Sequence, residues 1–355
     1  MKISNLKILL IFLFANILSA QDEIEVEHFY PDANVLQISG FQNEVWFATN
    51  GNGIIEYDKK KNKWNEYSSS KNNIQQDFFH CIAVNNNLVF AGSTDGLFIL
   101  NKKTNKWIKR KFSVGGQLGN WIRAIKFDPT INSVWIGRFQ YLTKYEINSR
   151  RFTDYDLTIK RNEKTNTIKT IEVDGDSLVW FGTEAGLHKY YKGLDLNSND
   201  ASKFYDNRLN YFRGEGDEVS ISDILIEQNN VWVGTDEFTT PDRPRFNVGG
   251  LYKYDRRNDW QRFDVSRGLS GNGIYAVERT GNLIWVALYQ FGSDTKEKFG
   301  RGLAVINTNT NKVRMIYNEK LPNRILDIYF DGDFIWLASD MGIYRVNLSN
   351  NLAKF

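Results

Sequence analysis

One short phrase recurs along the chain: a β-branched or aliphatic residue, an aromatic, an aliphatic, then Gly or Ala. It reads VWFAT at Trp46, VFAGS at Phe90, VWIGR at Trp135 and VWFGT at Trp180. It continues as VWVGT at Trp232, IWVAL at Trp285 and IWLAS at Trp336. The first three steps are 44, 45 and 45 residues, and the last three are 52, 53 and 51. Self-similarity at such a period marks a repeat architecture, each copy being one supersecondary unit.

The flanks of the phrase define that unit. An apolar strand such as WIRAIKF (121–127) precedes it, often with a turn such as DGD (174–176, 331–333) between. Gly-aliphatic and an alternating strand follow, as in GIIEYD, GLFILN and GLYKYD. A polar Asn/Lys turn then leads to an aromatic strand such as KWNEY (63–67) or DWQRF (259–263). Four short strands at hairpin spacing make one antiparallel sheet. The fold expected is all-β: a seven-bladed β-propeller of four-stranded antiparallel blades around a central channel. The Trp column reads as core packed between blades. The seventh copy stops at YRVNLSNNLAKF, before its outer strand, while a spare strand, EVEHFYP (25–31), precedes the first. The N-terminal strand therefore completes the last blade and closes the ring, which removes exposed edges. The outer strand of the fourth blade is left open between KFYD and LNYFR (203–213).

The remaining features bound the function. Residues 1–20 carry Lys2 and Lys7, an apolar Ile8–Leu18 stretch and small residues Ser19-Ala20 before Gln21, the pattern of a signal peptide. Residues 21–355 then form the propeller domain, with no transmembrane helix in the mature chain and an exported location: periplasm, cell surface or medium. A net charge of +3 gives no concentrated basic face for nucleic acid. One cysteine, Cys81, excludes an intramolecular disulfide. Cys81 reads as a small buried residue. The three histidines are far apart, so no metal and no cofactor is expected. The DGD turns read as hairpin chemistry rather than as a calcium loop.

The residues leading into the inner strands add a further pattern: QLGNWIRAI (117–125), GLSGNGIYAV (268–277) and LPNRILDI (321–328). Followed by VWIGR, IWVAL and IWLAS, they resemble the two-component-regulator propeller repeat over about residues 25–350. That resemblance implies a periplasmic sensor propeller of the kind found in bacterial hybrid two-component systems, many of which respond to oligosaccharides. The chain has one propeller rather than two in tandem, no kinase and no receiver, so signalling output does not carry over.

Aligning the inner strands VLQI, FHCI, IRAI, IKTI, ISDI, IYAV and ILDI places His80, Arg123, Lys169 and Tyr275 in one column. With Phe78, Trp121 and Arg324 just before the strands, they form a cationic and aromatic mouth of the channel. RFQYLT (138–143) adds Arg138, Phe139 and Tyr141, and two insertions, 236–250 and 288–302, add Arg243, Arg245, Lys298 and Arg301 on the same face. Propeller channels are wet and need polar lining whatever their function, so the set matters more than any member. Cations of this kind suit carboxylate or sulfate groups, and aromatic rings suit sugar faces. Three functions fit. The first is a non-catalytic exported binding or sensing propeller for oligosaccharides, anionic ones included. The second is a polysaccharide lyase, in which a cation neutralises a uronate and Tyr, His or Lys moves the α-proton. The third is an interaction scaffold for an envelope protein partner.

Overall fold

The computed structural model describes residues 24–71 and 73–348, so the signal-peptide reading of residues 1–20 lies outside the described residues. These residues form seven four-stranded antiparallel sheets. Blades 1 to 6 span 35–67, 81–110, 122–155, 168–205, 221–263 and 273–316, each a simple meander. Blade 7 takes Ile325–Phe330, Ile335–Ser339 and Gly342–Leu348 from the C-terminal end and Ile24–Phe29 from the N-terminal end. The closing strands run antiparallel from Ile24 opposite Leu348 to Phe29 opposite Ile343. Blade 4 takes Ser202–Tyr205 as its outer strand. The segment 208–214 instead lays Phe212 into the core against Trp260 at 4.3 Å. No helix among the described residues is long and apolar enough to cross a membrane.

The phrase packs as its composition requires. Its six Trp side chains are almost wholly buried, and Phe90 takes the place in blade 2. Its Gly meets the first residue of the next blade's inner strand. A Cβ at Gly137 would lie 2.5 Å from Ile168 Cγ2, and one at Gly182 would lie 2.6 Å from Ile221 Cγ2. Gly182→Val is therefore expected to destabilise the protein by about 1–3 kcal/mol or more through overpacking, read as a lower urea midpoint.

The indoles also organise the blade junctions. Each buried Trp N–H needs an acceptor. Trp336 donates to Asp331 at 2.8 Å, Trp180 to Asp174 at 2.9 Å and Trp46 to Glu44 at 3.0 Å. Each of those carboxylates then meets a cation from the following blade: Lys59 at Asp331, Arg256 at Asp174 and Lys102 at Glu44. Trp135, Asp128 and Lys192 repeat the arrangement. Burial opposes the charge on Asp331, but the Trp336 indole, backbone amides and Lys59 hold its pKa below the usual range. The DGD aspartates Asp174 and Asp331 thus have a junction role beyond the turn. Where the chain departs from the rule, both partners change. Phe90 has no N–H to place, and Trp285 donates to Thr280 instead. The following blades carry Ile147 and Leu348 where Lys59, Lys102 and Lys192 stand elsewhere.

Candidate functional site

The mouth is built by bulges. The pairing of the inner strand with its neighbour slips by one residue at Leu36, Arg123, Lys169, Ser222, Tyr275 and Leu326. An extra residue in a bulge is left unpaired and its side chain is re-aimed. In blade 2, His80 stands at this level and donates its backbone N–H to Gly92 at 2.8 Å. The residue column singled out from the sequence is therefore the bulge column, turned toward the channel mouth.

Side chains from blade 2 to blade 7 gather in contacting groups around that mouth. Phe78, 56% exposed, lies next to Gly51. The His80 ring is 6.1 Å from Trp121, and Trp121 stacks on Phe139 at 5.0 Å with 12° between the planes. The Arg123 guanidinium lies over both rings, at 5.8 and 5.4 Å, and pairs with Glu184 at 2.6 Å. Lys169 pairs with Asp236 and donates to Ser220 at 3.0 Å. Asp236 also takes Lys298 at 3.0 Å and the Tyr289 hydroxyl at 2.8 Å. Tyr289 and Tyr275 lie 4.5 Å apart, and Arg324 meets Asp340 at 3.4 Å.

Glu184, Asp236 and Asp340 are absent from the sequence-based set. Together with Phe139 and Tyr289 they occupy one position, four residues after the aromatic of the phrase. That position is the signal that could have found them. Burial opposes the charge on Asp236, but Lys169 and Lys298 hold its carboxyl well below the usual range. Burial, with Arg123 beside it, lowers the pKa of His80, so its ring is neutral at pH 7. The His80 Nε2, Ser222 Oγ and Tyr275 hydroxyl are buried without a hydrogen-bond partner.

Arg138 and Tyr141 do not join this ring. Arg138 occupies the position where other blades place a Thr or Ser bonded to the third strand. Its side chain is fully buried, pairs with Asp154 at 2.9 Å and donates to the Val114 and Gly119 carbonyls at 3.1 and 3.0 Å. It also lies over Tyr141 at 5.5 Å. These bonds pin the 114–119 loop that leads into Trp121, so Arg138 positions the aromatic platform from behind. The sequence places Arg138 beside a strand end but does not reveal that its side chain points inward.

The two insertions are long hairpins rather than irregular loops. Val231–Thr240 pairs with Arg243–Tyr254, and Leu283–Gly292 pairs with Glu297–Asn307. They pack side by side through Phe238 and Phe291, with centroids 4.6 Å apart, and the Phe291 N–H donates to Glu237 at 2.8 Å. The pair walls the mouth on the side of blades 5 and 6 and brings Lys298 over Tyr289 at 4.5 Å. Arg243 instead lies on Phe246, and Arg301 bonds Gln290. Among the described residues no group of three or more His, Cys, Asp or Glu is placed to hold a metal ion. Cys81 is buried, and burial pushes its thiol far up.

The chain is a seven-bladed β-propeller, similar in structure to proteins of diverse roles. The extracellular domain of a hybrid two component system from B. thetaiotaomicron superimposes with a TM-score of 0.65 at 18% identity. That match covers 91% of this chain and 39% of the other, so the chain spans about two fifths of that domain. Virginiamycin B lyase from Staphylococcus aureus matches with a TM-score of 0.66 at 12% identity, over 92% of this chain and 99% of the other. YCF48 bound to D1 peptide matches with a TM-score of 0.65 at 11% identity, over 93% and 98%. At such identities the likeness is one of fold. Neither a protein-family profile nor a curated protein sequence matches the chain.

Proposed function

We propose that the protein is an exported, non-catalytic propeller that binds an oligosaccharide across the mouth built by blades 2 to 7. The observation that carries this reading is the Trp121–Phe139 stack flanked by the Arg123–Glu184 pair. An aromatic face takes the apolar C–H face of a sugar ring, and a fixed guanidinium and carboxylate serve its hydroxyls as donor and acceptor. His80 Nε2, Ser222 Oγ and the Tyr275 hydroxyl offer further unused polar atoms. The shared fold with an extracellular sensor domain supports the same reading. Because Glu184, Asp236 and Asp340 offset the mouth's cations, the reading favours a neutral glycan over the acidic one that the cations alone suggest.

The test is a thermal-shift screen of residues 21–355 against neutral and acidic glycans, since a ligand of the folded state raises Tm by mass action. Trp121→Ala is expected to weaken a binding glycan about tenfold, the scale of one aromatic stacking contact. A lyase reading rests on neutral His80 and on Tyr275, and would show as unsaturated product from the hit. Its cations, however, are held by the chain's own carboxylates rather than left for a uronate. The absence of a shift with every glycan would favour the scaffold reading and a protein partner.

A further inference from the structure

Below the mouth, the edge of each inner strand that faces the channel has no neighbouring strand to bond. Side chains from four consecutive blades supply acceptors there. Asp223 of blade 5 takes the Val277 N–H of blade 6 at 2.8 Å. Glu278 of blade 6 takes the Phe330 N–H of blade 7 at 3.2 Å. Asp327 of blade 7 takes the Ile38 N–H of blade 1 at 2.7 Å, across the ring closure. Gln37 of blade 1 takes the Ile82 N–H of blade 2 at 2.7 Å. The second oxygens of Asp223 and Asp327 accept from Ile224 and Ile328 at 2.8 and 2.9 Å. These groups share one cavity of about 440 Å³, whose remaining charges are Lys126 and Glu172, paired with each other at 2.6 Å.

The arithmetic of charge is unfavourable. Glu172, Asp223, Glu278 and Asp327 face a single ammonium in a confined space, and like charges so placed do not all ionise. The three inter-blade carboxyls are half-buried, and their withdrawal from water is the first cause raising each, which the backbone N–H bonds only partly offset. Asp223 is pushed up to about 7, with Glu172 adding to the rise and Lys126 opposing it. Asp327 is pushed well above its ordinary range, with Asp223 and Glu278 adding to the rise, and Glu278 is raised as well. Gln37 makes the same inter-blade bond without charge, so the bond itself does not require an acid.

We propose that Asp223, Glu278 and Asp327 form a proton-responsive latch along the channel, which takes up protons as the pH falls from mildly alkaline to mildly acid and thereby relieves the charge repulsion among the junctions from blade 5 to blade 1. A carboxyl whose pKa is higher in the folded than in the unfolded chain destabilises the folded state when ionised. Its stabilising contribution is complete below the unfolded value and is lost as the pH rises through the folded one. This inference is independent of what the mouth binds.

The experiment is thermal unfolding of residues 21–355 between pH 5.5 and 8.5, at constant ionic strength, with Asp223→Gln and Asp327→Gln, which copy Gln37, as comparisons. The wild-type Tm is expected to fall by about 2–5 °C from pH 6 to pH 8, about 2 °C for each raised carboxyl in a chain of this size. The double variant is expected to lose most of that slope. Carbon-detected NMR titration of ¹³C-aspartate in the wild type reads the same groups without any substitution. Two aspartates titrating at least two pH units above the ordinary carboxylate value support the latch; Asp223 and Asp327 both titrating near the ordinary value overturn it. Magnesium or spermidine that stabilises the wild type at pH 8 and abolishes the proton dependence also overturns it, by assigning the cavity to a cation.

Discussion

A chain beginning at residue 31, without Ile24–Phe29, is expected to lose about 5 kcal/mol or more of stability, a third or more of what a domain commonly has. The strand is a full ladder partner of Gly342–Leu348. Ile24 and Val26 are buried in the cluster that also holds Tyr344 and Val346, and each such side chain contributes about 1.5–3 kcal/mol. His28 stacks on Tyr344 at 4.2 Å, and Glu27 pairs with Arg345 at 2.6 Å. Without the strand, blade 7 also presents an unpaired edge that templates association. Urea unfolding followed by tryptophan fluorescence, with light scattering for self-association, measures both effects. A truncated chain as stable and monomeric as the full one would contradict the closure described here.

Trp336→Ala should cost about 3–5 kcal/mol, the range for truncating a buried aromatic. Trp336 sits where the first and last blades meet. Its ring contacts Phe47 at 5.6 Å, Tyr57 at 5.3 Å and Trp64 at 6.1 Å, with Arg345 over it at 5.5 Å. Trp336→Phe separates the two parts of the effect. It keeps most of the apolar contact but leaves Asp331 facing Lys59 without the indole N–H. Asp331 keeps Lys59 and two backbone amides, so the expected loss is about 1.5–3 kcal/mol, the scale of one hydrogen bond to a charged group. The natural Phe90 avoids that cost because neither an acid nor a lysine accompanies it. A second substitution that removes the Lys59 charge should then be non-additive with Trp336→Phe, since the two share Asp331.

The spacing of the VW-aliphatic-Gly phrase carried the seven blades and the four-strand meander, because period and alternation directly record which faces are buried. The spare strand before Trp46 carried the closure. The mouth was legible only in part. The column His80, Arg123, Lys169 and Tyr275 stands out by aligning the apolar residues around it, but the bulge that aims it adds one residue without altering the hydrophobic pattern. Glu184, Asp236 and Asp340 sit where the apolar pattern of each phrase stops, so nothing in hydropathy separates them from ordinary loop acids. Arg138 reads as a mouth cation from sequence, because its inward direction depends on Asp154 and on the Val114 and Gly119 carbonyls, all distant in sequence. The insertions at 236–250 and 288–302 read as loops, since their alternation is diluted by Asp, Gly and Pro. Pairing across the hairpins and the Phe238–Phe291 contact make them strands.

The most direct test is isothermal titration of residues 21–355 with a neutral oligosaccharide that raises its Tm, repeated on Trp121→Ala and Arg123→Ala. The expected result is saturable binding by the wild type, weakened about tenfold in Trp121→Ala and also weakened in Arg123→Ala, with the unliganded melting temperatures of both variants near that of the wild type. Binding that survives both substitutions, or no binding by any glycan, would contradict the assignment of the mouth as an oligosaccharide site.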